Sequence, residues 1–83
     1  MWDRAMRTTR YFEEQVLRKR SYIRREWCRR AIEDPLARAT QLDGRVRYWV
    51  WVPEARHYLR VVTLEDGVTV HNAFFDRRFG EEI

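Results

Sequence analysis

The sequence has few of the residues that build metal, redox and nucleotide sites. Its 83 residues include one cysteine, two histidines and three glycines. A single cysteine excludes an intrachain disulfide and favours a reducing compartment, so we expect a cytoplasmic protein. One cysteine and two histidines do not make a closed zinc site, and no HExxH motif, glycine-rich phosphate loop or serine elbow is present. The sequence therefore predicts neither a metal nor another cofactor.

Long apolar runs are also missing. The first four residues already include charged ones, so the sequence predicts no signal peptide and no membrane span. Eighty-three residues, 45% of them hydrophobic, are enough for one compact core and too few for two. We expect a single domain over residues 1–83, with residues 1–8 as a loose arm because they show no clear period.

Positive charge, by contrast, is abundant. Lysine and arginine total 17 against 13 acidic residues, the formal net charge is +4, and all but one of the basic residues are arginine. Arginine presents a planar fork of donors that binds phosphate or carboxylate through two hydrogen bonds. This composition favours a polyanionic partner. The alternative is an arginine-rich protein whose charges are simply solvated.

Two helices are predicted in the first half. Thr9 is a candidate N-cap for the first, which would bury Phe12 and Val16, and Ser21 is a candidate N-cap for the second. Asp34-Pro35 ends the second helix because the residue before proline avoids helical geometry. Cys28, inside that helix, is interpreted as a core residue rather than a nucleophile. The apolar stripe of the second helix comprises Ile23, Trp27, Ala31 and Ile32. Its outer face carries Arg24, Arg25, Arg29 and Arg30, which we interpret as solvated rather than as a nucleic-acid surface.

The second half predicts four strands, at residues 36–41, 45–52, 58–64 and 68–75. Asp43-Gly44 and Asp66-Gly67 are typical of two-residue hairpin turns with positive φ at both central positions. The predicted fold is α+β, with two helices packed on a four-stranded antiparallel meander.

Alternation within the strands predicts which side chains share a face. In the second strand, Arg45, Arg47, Trp49 and Trp51 would lie on the outer side, away from the helices. Pairing outward from the second turn places Val62 opposite His71 and Arg60 opposite Ala73. Arg60 and His71 would then share the outer face, and Asn72 and Phe74 the inner one. Arginines interleaved with rings suit single-stranded RNA, whereas exposed tryptophans also suit a dimer or partner interface.

The layout resembles a known family. The residues concerned are Tyr22-Ile23 opening a helix, Asp34-Pro35 ending it, Asp43-Gly44-Arg45 with Tyr48 in the next strand, Leu59-Arg60-Val61-Val62, and Val70 to Arg78. Over residues 9–79 the chain is similar to the small bacterial domains allied to RelE and BrnT, which include relatives of unassigned function. The resemblance implies a RelE-like fold and a ribonuclease toxin of a type II toxin–antitoxin pair. It also implies metal-independent RNA cleavage, often on the ribosome, and inhibition by a small acidic antitoxin.

The residues supply candidates for that chemistry, which needs a proton acceptor, a proton donor and a cation near the phosphate. His71 is the candidate general acid or base because its ordinary pKa is nearest neutrality. Arg47 and Arg60 are candidates for binding the phosphate, Arg77 follows the last strand, and Asp76 would either orient an arginine or form a structural ion pair. The candidate RNA-binding residues are Arg45, Trp49, Trp51, Arg78 and, ranked lower, His57. The alternative function is a non-catalytic nucleic-acid-binding or interaction module that dimerises through Trp49 and Trp51.

Overall fold

The computed structural model of the protein describes residues 6–80 and confirms the α+β class. A short strand and two short helical segments are followed by four more strands, and all five strands form one sheet. The elements are β1 (Arg7–Thr8), a π-helical stretch (Phe12–Val16) that runs into α1 (Leu17–Lys19), α2 (Arg25–Glu33), β2 (Ala37–Thr40), β3 (Val46–Val52), β4 (His57–Thr63) and β5 (Thr69–Phe75).

The sheet has five strands and is mixed, in the order β1-β5-β4-β3-β2. The antiparallel pairs β2–β3, β3–β4 and β4–β5 form the predicted meander. The prediction of a four-stranded antiparallel sheet is wrong because β1 pairs in parallel with β5, with Arg7 beside Thr69. The Thr9 N–H also donates to the Val70 carbonyl at 3.0 Å. A strand of two residues is too short to show a hydrophobic period in the sequence, and the prediction of a loose arm over residues 1–8 therefore missed β1. Residues 1–5 of that arm lie outside the described residues.

The core lies between the helical segments and one face of the sheet. Alternate residues of β3, from Val46 to Val52, face it as predicted, and Phe12 and Val16 are buried in the same cluster. Cys28 is fully buried, as the helix pattern predicted. Burial in this apolar setting raises the pKa of the Cys28 thiol to about 12, which makes it a poor nucleophile.

The two predicted helix starts differ in outcome. The Phe12 N–H donates to Thr9 Oγ1 at 3.1 Å, which confirms Thr9 as the cap of the first segment. The prediction for Ser21 is wrong: Arg24 holds the N-cap position of α2, without a side-chain capping bond. The Ile23 N–H donates to the Arg20 carbonyl at 3.0 Å, so a turn separates the segments and delays α2.

Both predicted hairpins form, but each turn is longer than two residues. Gly44 and Gly67 have φ of 91° and 76°, whereas among the described non-glycine residues only Arg56 has a positive φ. The aspartates before the glycines act through their side chains instead. Asp43 accepts a hydrogen bond from the Arg45 N–H at 2.9 Å, and Asp66 accepts one from the Thr69 N–H at 2.9 Å. The sequence signal located the turns correctly and gave the wrong backbone geometry.

A β-bulge in β5 changes the register of the second hairpin. Thr63 pairs with Val70, in agreement with the predicted register, but Val62 pairs with Asn72, which leaves His71 as an extra residue. Beyond the bulge, Arg60 therefore faces Phe74, and the predicted pairings of Val62 with His71 and of Arg60 with Ala73 are wrong. The same shift moves Asn72 and Phe74 from the predicted inner face to the outer face, where Phe74 lies beside Arg60.

Candidate functional site

At the middle of the outer face, the guanidinium of Arg60 lies between two aromatic rings. Trp49, Arg60 and Phe74 lie in one row across β3, β4 and β5. The Arg60 guanidinium carbon is 5.4 Å from the centre of a Trp49 ring and 5.0 Å from that of Phe74. These distances allow attraction between the cation and both π faces. Arg60 thus has its orientation fixed by its neighbours on either strand.

Asp76, directly after β5, completes this arrangement. Its Oδ2 accepts hydrogen bonds from Trp49 Nε1 at 2.9 Å and from Arg60 Nε and Nη2 at 3.0 and 2.7 Å. Burial alone would raise the pKa of Asp76, but the hydrogen bonds from Trp49 and Arg60, together with the positive charge of Arg60, outweigh it and lower the pKa. The carboxylate is therefore ionised at neutral pH, and both charges of the pair are satisfied within the chain.

The turn after β5 then covers the row. Oδ1 of Asp76 accepts hydrogen bonds from the N–H groups of Arg78 and Phe79 at 3.1 and 3.3 Å. The Phe79 ring stacks on Trp49 with centroids 5.1 Å apart and planes 15° apart, and meets Tyr58 edge-on at 5.1 Å. Trp49 is only 8% exposed as a result. This part of the outer face, which we expected to be open, is closed by residues 76–80, here called the C-terminal turn.

His71 lies towards the other end of β5. Its Nδ1 is 3.0 Å from Thr9 Oγ1, and its ring stacks on Tyr11 with centroids 4.9 Å apart. Burial lowers the pKa of His71 from its ordinary value, and the charge of Arg45 lowers it further, so the imidazole is neutral at pH 7. Thr9 Oγ1 accepts the Phe12 N–H, which leaves its own proton free for Nδ1.

Arg60 and His71 are not brought together. Arg60 faces Phe74, three residues along β5 from His71, or roughly 10 Å at 3.3 Å per residue. Among the described residues no hydrogen bond links the two side chains, and Arg60 is already bound to Asp76. The arginine whose charge lowers the pKa of His71, after burial, is Arg45 rather than Arg60.

Two further guanidiniums lie near this end of the sheet. Arg47, Val62 and Asn72 form one row across three strands. Arg47 donates to Gln41 Oε1 at 2.9 Å, and Arg20, after α1, lies 3.5 Å from Asn72 Oδ1. Both acceptors are neutral amides. We call this region, comprising Arg20, Arg45, Arg47, His71 and Asn72, the open basic end.

The charges of the open basic end are poorly compensated. Within residues 6–80, neither Arg20 nor Arg47 has a carboxylate at ion-pair distance. The nearest carboxylate oxygen of Asp43 is 4.0 Å from Arg45 Nε, at the limit of an ion pair. Arg30, by comparison, contacts both Glu26 and Glu54. At Arg20 and Arg47 the open basic end therefore keeps positive charge that no described carboxylate neutralises, although the Arg20 guanidinium carbon also lies 5.9 Å from the centre of the Phe74 ring.

The remaining predicted site residues lie at the opposite end of the sheet. Trp51 is 43% exposed and meets Tyr58 edge-on at 4.9 Å. Arg77 and Arg78 are exposed in the C-terminal turn. His57 pairs with Val52, whose side chain is in the core, and its ring centroid is 4.8 Å from that of Phe75 on the helix side. His57 is thus directed away from the outer face on which RNA binding was predicted.

Sequence reasoning missed three contributors. Thr9 was interpreted only as a cap, and neither Arg20 nor Phe79 was among the candidate site residues. The contacts of Arg20 and Thr9 with β5 join residues 52 and 62 positions apart, which no local pattern reports.

Nothing in the described part of the chain suggests a metal centre or a membrane segment. No group of three or more histidine, cysteine or acidic side chains there is placed to bind a metal ion. None of the helices formed by residues 6–80 has the length and apolar character needed to cross a membrane. Comparison with models of known protein families, with curated proteins and with solved structures found no significant match.

Proposed function

We propose that this protein binds single-stranded RNA through the open basic end. The observation that carries the proposal is that Arg20 and Arg47 donate to neutral amides and have no carboxylate partner among the described residues. A guanidinium prefers an anionic acceptor, because it can bind phosphate through two parallel hydrogen bonds between opposite charges, which a single neutral amide oxygen cannot provide. A phosphate oxygen would therefore replace Asn72 or Gln41 as acceptor at a net gain.

The spacing suits an extended polyanion better than one small anion. Arg47 is on β3, and Arg20 binds a residue of β5 in the same row. Two strand spacings separate those positions by roughly 10 Å. Arg47 donates to Gln41, which follows β2 on the far side of β3 from β5, whereas Arg20 contacts Asn72 on β5. The two guanidiniums are therefore directed to opposite sides of this interval, where each can meet a different phosphate of one strand.

A ring for the bases lies beside these charges. Tyr11 is 48% exposed and has one face against His71. An unpaired base can stack on such a ring regardless of its identity, whereas a duplex keeps its bases stacked inside. We therefore favour single-stranded RNA with little sequence preference over a duplex.

The test is the dissociation constant for a fluorescein-labelled 12-mer of uridine (U12), measured by fluorescence anisotropy. Arg20→Gln/Arg47→Gln removes two charge-assisted contacts, each worth about 1.5 kcal/mol or more before salt screening, so the constant should rise roughly ten- to hundredfold. The matched control is Arg18→Gln/Arg24→Gln, which removes the same charge from two exposed positions, one in α1 and one at the N-cap of α2. Equal binding by both double variants would refute the proposed site.

RNA cleavage is the second candidate, and the state of His71 favours it. The imidazole is neutral at pH 7 and lies within the field of Arg45. A neutral imidazole can accept a proton from a 2′-hydroxyl, and a guanidinium whose charge reaches it can stabilise charge on the neighbouring phosphate. Cleavage of U12 with EDTA present, leaving a cyclic phosphate and lost in His71→Gln, would support it. Intact RNA after long incubation with saturating protein would leave binding alone.

A further inference from the structure

The C-terminal turn occupies the outer face next to the open basic end. Trp49 is two residues beyond Arg47 on the same face of β3, about 7 Å further along the strand. Any strand of RNA that follows β3 from the open basic end meets this turn next. What the turn contributes there is a carboxylate on Arg60 and a ring on Trp49.

The Asp76 carboxylate and the Phe79 ring make the contacts that the phosphate and the base of a nucleotide would make. The Asp76 carboxylate is a planar anion that accepts two hydrogen bonds from Arg60 and one from the Trp49 indole N–H, and a phosphate accepts the same three donors. The Phe79 ring lies nearly parallel to Trp49, with an interplanar angle of 15°, in the stacked arrangement that a base adopts on an aromatic side chain.

We propose that Trp49 and Arg60 form a nucleotide subsite that the chain's own Asp76 and Phe79 occupy. Trp49 would stack a base and Arg60 would bind the adjoining phosphate once the C-terminal turn is displaced. The inference rests on the proposed RNA-binding function and extends it from the open basic end to the middle of the sheet. It makes the turn a competitor of RNA.

The two residues of the C-terminal turn that occupy the subsite are held with different strength. Phe79 contributes ring contacts with Trp49 and Tyr58, whereas Asp76 is 8% exposed and makes three side-chain hydrogen bonds. Removing the Phe79 ring therefore opens the stacking position while the Asp76 contacts continue to hold the fold. Phe79→Ala is the informative variant for this reason.

The experiment compares U12 with an abasic 12-mer of the same backbone. An aromatic pair is worth about 0.5–1.5 kcal/mol, so losing the competing stack should let Phe79→Ala bind U12 roughly 2- to 12-fold more tightly. The abasic strand should show no such gain, because it has no base to stack. The matched control is Tyr22→Ala, which removes a similarly stacked ring from Phe75 on the helix side and should leave U12 affinity unchanged.

A measurement on the unaltered protein covers the case in which Phe79→Ala fails to fold. Nuclear Overhauser effects between the Phe79 ring and the Trp49 indole should be present in the free protein and lost with saturating U12. Retention of these signals in the complex, or a folded Phe79→Ala with no gain for U12, would overturn the subsite while leaving RNA binding intact. Failure of the proposed function looks different: neither the unaltered protein nor Phe79→Ala would bind U12.

Discussion

The contacts of Asp76 make it the polar residue on which stability should depend most. Its carboxylate accepts three side-chain hydrogen bonds, from Trp49 and Arg60, and two backbone ones that begin the C-terminal turn. Asp76→Asn preserves the shape and removes the charge. An amide has one acceptor oxygen, so its N–H group would face either the side-chain donors of Trp49 and Arg60 or the backbone N–H groups of Arg78 and Phe79.

The magnitude follows from those bonds. Hydrogen bonds to a charged group contribute about 1.5–3 kcal/mol each, and asparagine retains part of the set. We expect Asp76→Asn to lower the free energy of unfolding by about 2–4 kcal/mol. A domain of this size has about 4–12 kcal/mol in total, and its melting temperature changes by about 4–8 °C per kcal/mol. The expected fall is therefore about 8–32 °C.

Urea unfolding at pH 7, followed by circular dichroism, measures the effect. The matched control is Glu54→Gln, which removes another carboxylate from an arginine, Arg30, at an exposed position where ion pairs contribute little. In a double-mutant cycle, Arg60→Met should cost much less in the Asp76→Asn background than alone. A midpoint for Asp76→Asn equal to that of Glu54→Gln would refute the reasoning.

Three further predictions follow from groups with lowered or raised pKa. Because the folded pKa of Asp76 lies below its unfolded value, its stabilisation is complete above pH 4 and is lost as pH falls through the folded pKa; Asp76→Asn should flatten the acid limb of the unfolding curve. The pKa of His71 is also lowered, so as pH decreases below 6.5 the unfolded chain binds the proton first and the free energy of unfolding decreases. The NMR titration midpoint of the folded imidazole should therefore lie below 6.5. A midpoint above 6.5 would contradict the burial described here. Cys28, buried and with a pKa of about 12, should react with a thiol reagent at pH 8 only after urea is added, and rapid labelling of the native chain would refute its burial.

Local patterns predicted the parts of the fold that local physics controls. Alternation placed Val46 to Val52 and their neighbours on the correct faces, and the cap at Thr9 was found because its bond to Phe12 spans only three residues. The two turns were located from glycine and aspartate alone. Each of these features depends on residues within a few positions of one another.

What escaped prediction depends on contacts between distant parts of the chain. The bulge at His71 places one extra residue in β5, and a pairing scheme counted outward from the turn has no means of detecting it. Because of this extra residue, Phe74 lies beside Arg60 and Asn72 lies within reach of Arg20. The first contact belongs to the part of the outer face that the C-terminal turn covers, and the second belongs to the open basic end. Arg60 and His71 were expected to be diagonal neighbours on the outer face, but the bulge pairs Arg60 with Phe74, and His71 contacts Thr9 and Tyr11 instead.

The salt dependence of RNA binding tests the central claim most directly. On single strands, each phosphate contact adds about 0.7 to the slope of log affinity against log salt concentration. Arg20→Gln/Arg47→Gln should therefore reduce the slope for U12 by about 1.4, while Arg18→Gln/Arg24→Gln leaves it near that of the unaltered protein. Equal slopes for all three proteins would show that Arg20 and Arg47 touch no phosphate, which would contradict the account.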